Sequence, residues 1–139
     1  MHVSIVEDDP VIAKAVSTAV REAGHQCTWV ADGEAAIRDK TLMSSDIVVL
    51  DLMLPKASGL DVLRSARQAG VRTPVIVLTA QPGHKLRALQ NGAKDFISKP
   101  FDLVEVRTRI HNMLEVRLLH KRLAGYNELL ERTVQAPSV

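Results

Sequence analysis

The chain is poor in the features that most directly narrow a function. It has one cysteine, Cys27, so no internal disulfide can brace it, and no Cys/His group has the spacing of a zinc site. Cys27 falls in an expected strand and reads as a small face or core residue. Aromatic residues make up only 3% of 139 residues, which argues against a surface for stacking nucleic-acid bases. Charge of either sign is not in excess: 18 basic against 16 acidic residues leave a formal +2, too little for a field that implies a nucleic-acid partner. No apolar run reaches the roughly 18 residues of a membrane span. The opening Met1-His2-Val3-Ser4 enters a strand pattern directly, without a basic region and apolar targeting segment. A cytoplasmic location with no membrane partner is the expectation.

What is present is a regular alternation of strand and helix patterns. Apolar runs at Ser4–Val6, Gln26–Val30, Asp46–Leu50, Val75–Leu78 and Lys94–Ser98 read as strands. Between them lie helical patterns. Asp9-Pro10 opens the first, with Asp9 suited to the N-cap and Pro10 to the first turn, and Gly24 stops it. A weaker helix is expected over Glu34–Leu42, a third from Leu60 to Gly70, and a fourth ending at Gly92. From Asp102 a helical pattern runs to about Val134. Five strand–helix units predict an α/β fold with a doubly wound parallel sheet. No internal repeat is evident.

Four of the runs end in residues that can handle a phosphoryl group: Glu7-Asp8-Asp9, Asp51, Thr79 and Lys99-Pro100. In an open parallel sheet the ligand crevice lies beyond the carboxyl ends of the strands. If the first and third strands are neighbours, Glu7, Asp8 and Asp51 crowd together. Three close carboxylates repel, and one protonates unless a cation compensates. Hard oxygen ligands of this kind suit Mg²⁺. A carboxylate in such a site can attack phosphorus and become an acyl phosphate. Lys99 supplies a compact cation for a phosphoryl oxygen, and Thr79 a hydroxyl donor. The plainer readings are a helix cap for Asp9 and a turn residue for Asp51. Asp51 escapes the second because Leu52-Met53-Leu54 follows it, and desolvating a carboxylate within an apolar run is costly.

These residues carry a resemblance. Val6-Glu7-Asp8-Asp9-Pro10, Asp51-Leu52-Met53-Leu54-Pro55, Gly59, Leu78-Thr79-Ala80 and Lys99-Pro100-Phe101 make the chain similar to a bacterial two-component response regulator receiver domain over residues 1–115. The resemblance implies a flavodoxin-like sheet of order 2-1-3-4-5 and a cis bond between Lys99 and Pro100. It implies Asp51 as phosphoacceptor, with Thr79 and Lys99 assisting. Mg²⁺ would be held by Asp8 and Asp51 directly, by the Met53 backbone carbonyl, and by Glu7 through a bound water. Phe96 stands where such domains carry a switch aromatic, whose ring turns as the Thr79 hydroxyl moves toward the phosphoryl group. The plain alternative for Phe96 is a core aromatic on the last strand. A sensor histidine kinase or phosphotransfer protein would be the phosphoryl donor. The chain would act in phosphorelay signal transduction and would not turn over a substrate.

The chain departs from that pattern between Thr79 and Gly92, which is slightly shorter than usual and lacks an acidic opening. Pro82-Gly83 is expected to delay and shorten the fourth helix and to alter the output face. His84 is expected in a solvent-facing loop. Met53 and Gln81 occupy positions that tune hydrolysis in this family, and a methionine cannot orient attacking water. Slow spontaneous loss of the phosphoryl group follows.

In the last helix Leu103, Val106, Ile110 and Met113 form one phase, expected to face the core. Val116, Leu119, Leu123, Tyr126 and Leu130 then follow the 3-4-3-4 spacing of a coiled-coil seam, though for under three heptads. Residues 116–134 are read as a helical extension able to pair with a second copy, or alternatively to fold back on the same domain. Residues 135–139 are read as a disordered tail. From Asp102 onward six basic and five acidic residues give no basic arm for DNA. Leu129–Val134 resembles the linkers that join receivers to cyclic-dinucleotide output enzymes.

Competing functions fare worse. A phosphatase resembling the haloacid dehalogenase group needs an acid two residues after the nucleophile, where Met53 stands. A flavin carrier needs a Ser/Thr/Gly-rich phosphate loop where Glu7-Asp8-Asp9 would repel the phosphate. A receiver-like scaffold that is never phosphorylated is the remaining alternative.

Overall fold

A computed structural model describes residues 1–38 and 44–135. The elements alternate as β1 (His2–Val6), α1 (Pro10–Glu22), β2 (Gln26–Val30), α2 (Gly33–Arg38), β3 (Ile47–Asp51), α3 (Gly59–Gln68), β4 (Val75–Thr79), α4 (Pro82–Gln90), β5 (Asp95–Ser98) and α5 (Leu103–Gln135). The five strands form one parallel sheet in the order β2-β1-β3-β4-β5. The expected second helix is seen as far as Arg38, and its remainder to Leu42 lies outside the described residues.

Both faces of the sheet are covered, which is why its central strands are buried at every position and apolar up to their last residues, Asp51 and Thr79, rather than alternating. Val3, Ile5, Ile47, Val49, Ile76, Leu78 and Ile97 meet Val16 and Val20 of α1 and Val106, Ile110 and Leu114 of α5. On the other face Val6, Val48, Leu50, Val75 and Val77 meet Ala36 of α2, Val62 and Leu63 of α3, and Ala88 of α4. Each fully buried Leu or Ile contributes roughly 1.5–3 kcal/mol relative to exposure, so the two layers dominate stability.

Three expectations about the helices need correction. The start of α4 is not delayed: it begins at Pro82, which occupies the first turn. A proline there loses no intrahelical bond, and its fixed φ already suits a helix. His84 accordingly lies within α4, half-buried, rather than in a loop. Leu103 is 43% exposed and stays out of the core, whereas Leu114 is buried. The core stripe of α5 is thus Val106–Ile110–Leu114 at i, i+4, i+8.

α5 is a single helix of 33 residues and continues through Gln135, inside the segment expected as tail. Residues 136–139 lie outside the described residues. Past Leu114, Val116, Leu119 and Leu123 are 47%, 54% and 58% exposed, while the side chains of the seam residues Tyr126 and Leu130 lie outside the described residues. An ion pair between Lys121 and Asp46 ties this part of the helix back to the start of β3. No helix among the described residues is long and apolar enough to cross a membrane.

Candidate functional site

Strand register decides which side chains meet. Val6 pairs with Leu50, so Glu7 and Asp51 leave adjacent strands side by side. Thr79 pairs with Ser98, so Lys99 emerges next to Thr79, and its backbone N–H donates to the Thr79 carbonyl at 2.8 Å. All four come out at the carboxyl edge of the sheet.

Lys99 Nζ donates to Asp51 Oδ2 at 3.0 Å and lies 3.5 Å from Glu7 Oε2. Glu7 is 0% and Asp51 2% exposed. Asp8 is exposed at the rim, and one oxygen of each of Glu7, Asp8 and Asp51 falls within 4.8 Å of the others. Three carboxylates therefore cluster, and two of them flank the Lys99 ammonium.

The balance shows in the proton affinities. Burial, reinforced by the neighbouring Asp51 carboxylate, pushes the Glu7 carboxyl up to about 8, against the opposing pull of the Asp9 N–H and Lys99. Burial alone would lower the Lys99 ammonium, but its bond to Asp51 and the two negative charges hold it above its ordinary value. Glu7 Oε1 accepts from the Asp9 backbone N–H at 3.2 Å, while the buried Oε2 has no hydrogen-bond partner. A buried acceptor without a partner is costly. A hard divalent cation among these oxygens would satisfy it and replace the proton, so the residues present fit Mg²⁺.

Local structure presents each group. Asp9 caps α1 through the Val11 N–H at 2.9 Å, with Pro10 in the first turn, which turns the chain away just after Asp8. The Met53 N–H donates to Asp51 Oδ1 at 3.0 Å and fixes that carboxylate, leaving the Met53 side chain 56% exposed. α3 starts hard against the site: a Cβ at Gly59 would lie 2.1 Å from the Asp51 carbonyl oxygen, so only glycine fits. The buried Thr79 hydroxyl is turned aside. It donates to the Gln81 carbonyl at 3.3 Å and accepts from the Gln81 N–H at 3.1 Å. Phe96 is half-buried against the α3/α4 layer, and Lys85 Nζ sits 4.8 Å from its ring centroid. The Lys99–Pro100 bond is cis.

The structure thus brings Glu7, Asp8, Asp51 and Lys99 into one cluster, with Thr79 beside it and Phe96 on the adjoining strand. One contributor escapes sequence reasoning. The Trp29 indole N–H donates to the Glu7 carbonyl at 2.6 Å, steadying the turn that carries Glu7 and Asp8. Its only sequence signal is a lone large aromatic at the end of an otherwise small-residue strand.

With this geometry in view, comparisons agree with one another. The family model of the response regulator receiver domain matches residues 3–111. The response regulator protein PmrA of Pseudomonas aeruginosa is 38% identical over 127 residues, covering 90% of this chain and 55% of that protein. The chain therefore spans about half the length of the curated relatives it matches. The BeF3-activated receiver domain of DrrB superposes with a TM-score of 0.74 at 30% identity, covering 82% of this chain and 97% of that one. The receiver domain of sensor histidine kinase PA1611 from Pseudomonas aeruginosa, with a magnesium ion in its active-site cleft, gives 0.72 at 31% identity, covering 82% and 97%.

Proposed function

The chain belongs to the response regulator receiver domain family, and from that premise we propose that it is a phosphorylation switch of a two-component system with Asp51 as its phosphoacceptor. A receiver domain is not a turnover enzyme. The observation that carries the proposal is the triangle of Asp51, Lys99 and Glu7, with Lys99 Nζ 3.0 Å from Asp51 Oδ2 and 3.5 Å from Glu7 Oε2, and Asp8 at the rim.

The donor is a phosphohistidine on a sensor kinase or phosphotransfer protein. An Asp51 carboxylate oxygen attacks the phosphorus, the P–N bond breaks, and its electron pair returns to the imidazole. An acyl phosphate remains on Asp51. Asp8 and Asp51, with the Met53 backbone carbonyl and Glu7 nearby, would hold Mg²⁺, which would neutralise phosphoryl oxygens on one side. Lys99, released from its bond to Asp51, pairs with another phosphoryl oxygen. Thr79 exchanges its bond to the Gln81 carbonyl for one to the phosphoryl group. Movement of Thr79 frees space beside β4 into which Phe96 turns, giving up its contact with Lys85. Such a change alters output only by favouring one of two surfaces.

We further propose that residues 1–115 form the switch and 116–134 transmit it, pairing with a second copy along Val116, Leu119 and Leu123. The exposure of these side chains supports that reading. Sedimentation of the phosphorylated chain is expected to show a dimer that Leu119→Glu abolishes, and a monomer throughout would remove it. The names of the relatives favour a transcriptional output over a cyclic-dinucleotide enzyme for the signal that the extension carries.

Intact mass after incubation with Mg²⁺ and a small-molecule phosphodonor tests the core proposal. The chain gains one phosphoryl group and Asp51→Ala gains none. An unmodified chain would support the scaffold reading instead.

A further inference from the structure

At the opposite edge of the sheet, a cavity of about 550 Å³ opens between the carboxyl end of α3, the turns entering β4 and β5, and the part of α5 beyond the core. Arg67, Arg72, Lys94, Arg117 and His120 line it, and none of its lining residues is a carboxylate. Three arginines and Lys94 share one hollow without a counter-charge among the described residues that line it.

The hollow is built rather than incidental. Arg67 Nη1 donates to the Val71 carbonyl at 2.9 Å and Nη2 to the Gly92 carbonyl at 2.8 Å. Gly92 has φ +99°, and a Cβ there would lie 2.8 Å from Arg67 Nε, so glycine makes room for the guanidinium. A guanidinium carries five N–H donors, and two carbonyls use two of them. Burial, with a smaller push from the nearby Arg72 charge, takes the Arg67 guanidinium below its ordinary value. Arg117 lines the same hollow from α5, with its Nε buried behind the lining. Met113, Val116 and Pro74 supply an apolar wall, where ionic contacts are less screened by water.

We propose that this cavity binds a small phosphate-bearing anion of the pyrophosphate type, held between Arg67 and Arg72 on one side and Lys94 and Arg117 on the other. The volume lies in the ~300–1,000 Å³ range of small-ligand pockets, and the cations converge on a hollow instead of spreading along a ridge. Guanidinium groups match phosphate oxygens in pairs. Such a ligand would fasten the continuation of α5 to the turns that precede β4 and β5, at the far end of the sheet from Asp51.

Isothermal titration of the Asp51→Ala chain with sodium pyrophosphate, in a chelator and without Mg²⁺, keeps the acidic edge out of the measurement. One saturable site is expected, weakening as salt rises. Arg72→Gln with Arg117→Gln is expected to weaken it roughly tenfold or more, the loss for removing hydrogen bonds to a charged group. Thermal melting establishes that this variant stays folded, and Lys94→Gln gives the same readout should it not. No saturable binding at millimolar pyrophosphate would overturn the assignment, as would an unchanged affinity in both variants. Tighter binding of a duplex oligonucleotide than of pyrophosphate would also overturn it, in favour of a nucleic-acid surface.

Discussion

The two edges of the sheet carry opposite charge imbalances and handle them differently. At the carboxyl edge three carboxylates face one ammonium, and the shortfall of positive charge is met by a proton: the Glu7 carboxyl is pushed up to about 8. At the amino edge three arginines and Lys94 share a cavity without a carboxylate in its lining, and arginine has no proton it can readily shed. A carboxylate excess can neutralise itself until a cation arrives, so the acidic edge stays compact. A guanidinium excess cannot, so the basic edge is held by backbone carbonyls at Val71 and Gly92. The acidic groups sit at strand ends, whereas the basic ones come from α3, α5 and the turns entering β4 and β5.

Removing the ammonium at the acidic edge should have the largest effect. Lys99→Met is expected to slow phosphorylation by a small-molecule donor roughly 100-fold or more, the usual loss for one charge-stabilising donor. Pyrophosphate binding at the far edge should be unchanged. A rate within a few-fold of the original would take Lys99 out of the mechanism.

The next effect separates the edges by pH. The Glu7 carboxyl rises from 4.5 to about 8 in the folded chain, so between those values the native state holds a proton that the unfolded chain has lost. The stabilisation is present in full below 4.5 and lost as pH climbs through about 8. Metal-free protein should therefore become easier to denature with urea across that window, and Glu7→Gln should flatten the dependence. Asp46, on the amino edge, behaves oppositely. Burial disfavours its charge, yet Lys121 and the His2 N–H outweigh burial and hold it below 3.8. Its contribution is present above 3.8 and lost as pH falls through the lower folded value. Asp46→Asn should cost about 1 kcal/mol or less at neutral pH, because the Lys121 partner is half exposed.

The strands and their ends are legible in the sequence because uninterrupted apolar runs stop abruptly at Glu7, Asp51, Thr79 and Lys99, and parallel strands put such stops on one edge. The order of the strands is not written in those runs. It comes from the resemblance, and the register Val6–Leu50 and Thr79–Ser98 then brings the side chains together. The start of α4 misleads because Pro82 has two meanings, breaker or first-turn residue, and only the path of the chain after Thr79 chooses between them. Leu103 misleads because the buried stripe runs Val106–Ile110–Leu114 at i, i+4, i+8, and Leu103 lies off that row at the first helical position. Two features join residues that no local pattern links. The Trp29 contact with Glu7 joins positions 22 residues apart. The basic cavity gathers α3, two turns and α5 across the fold, while the charge of each segment on its own is unremarked.

The smallest effect concerns Met53. Its side chain is exposed beside Asp51 and cannot orient water, so Met53→Asn should modestly shorten the lifetime of the phosphorylated chain, followed by intact mass over time. Equal or slower decay in the variant would show that position 53 does not govern hydrolysis.

A crystal structure with Mg²⁺ and beryllofluoride tests the central claim most directly. The account predicts the ion between Asp8 and Asp51, beryllofluoride on the Asp51 carboxylate and paired with Lys99, and the Thr79 hydroxyl turned away from the Gln81 carbonyl. Beryllofluoride absent from Asp51 at saturating concentration, or Asp8, Asp51 and Lys99 found apart, would contradict it.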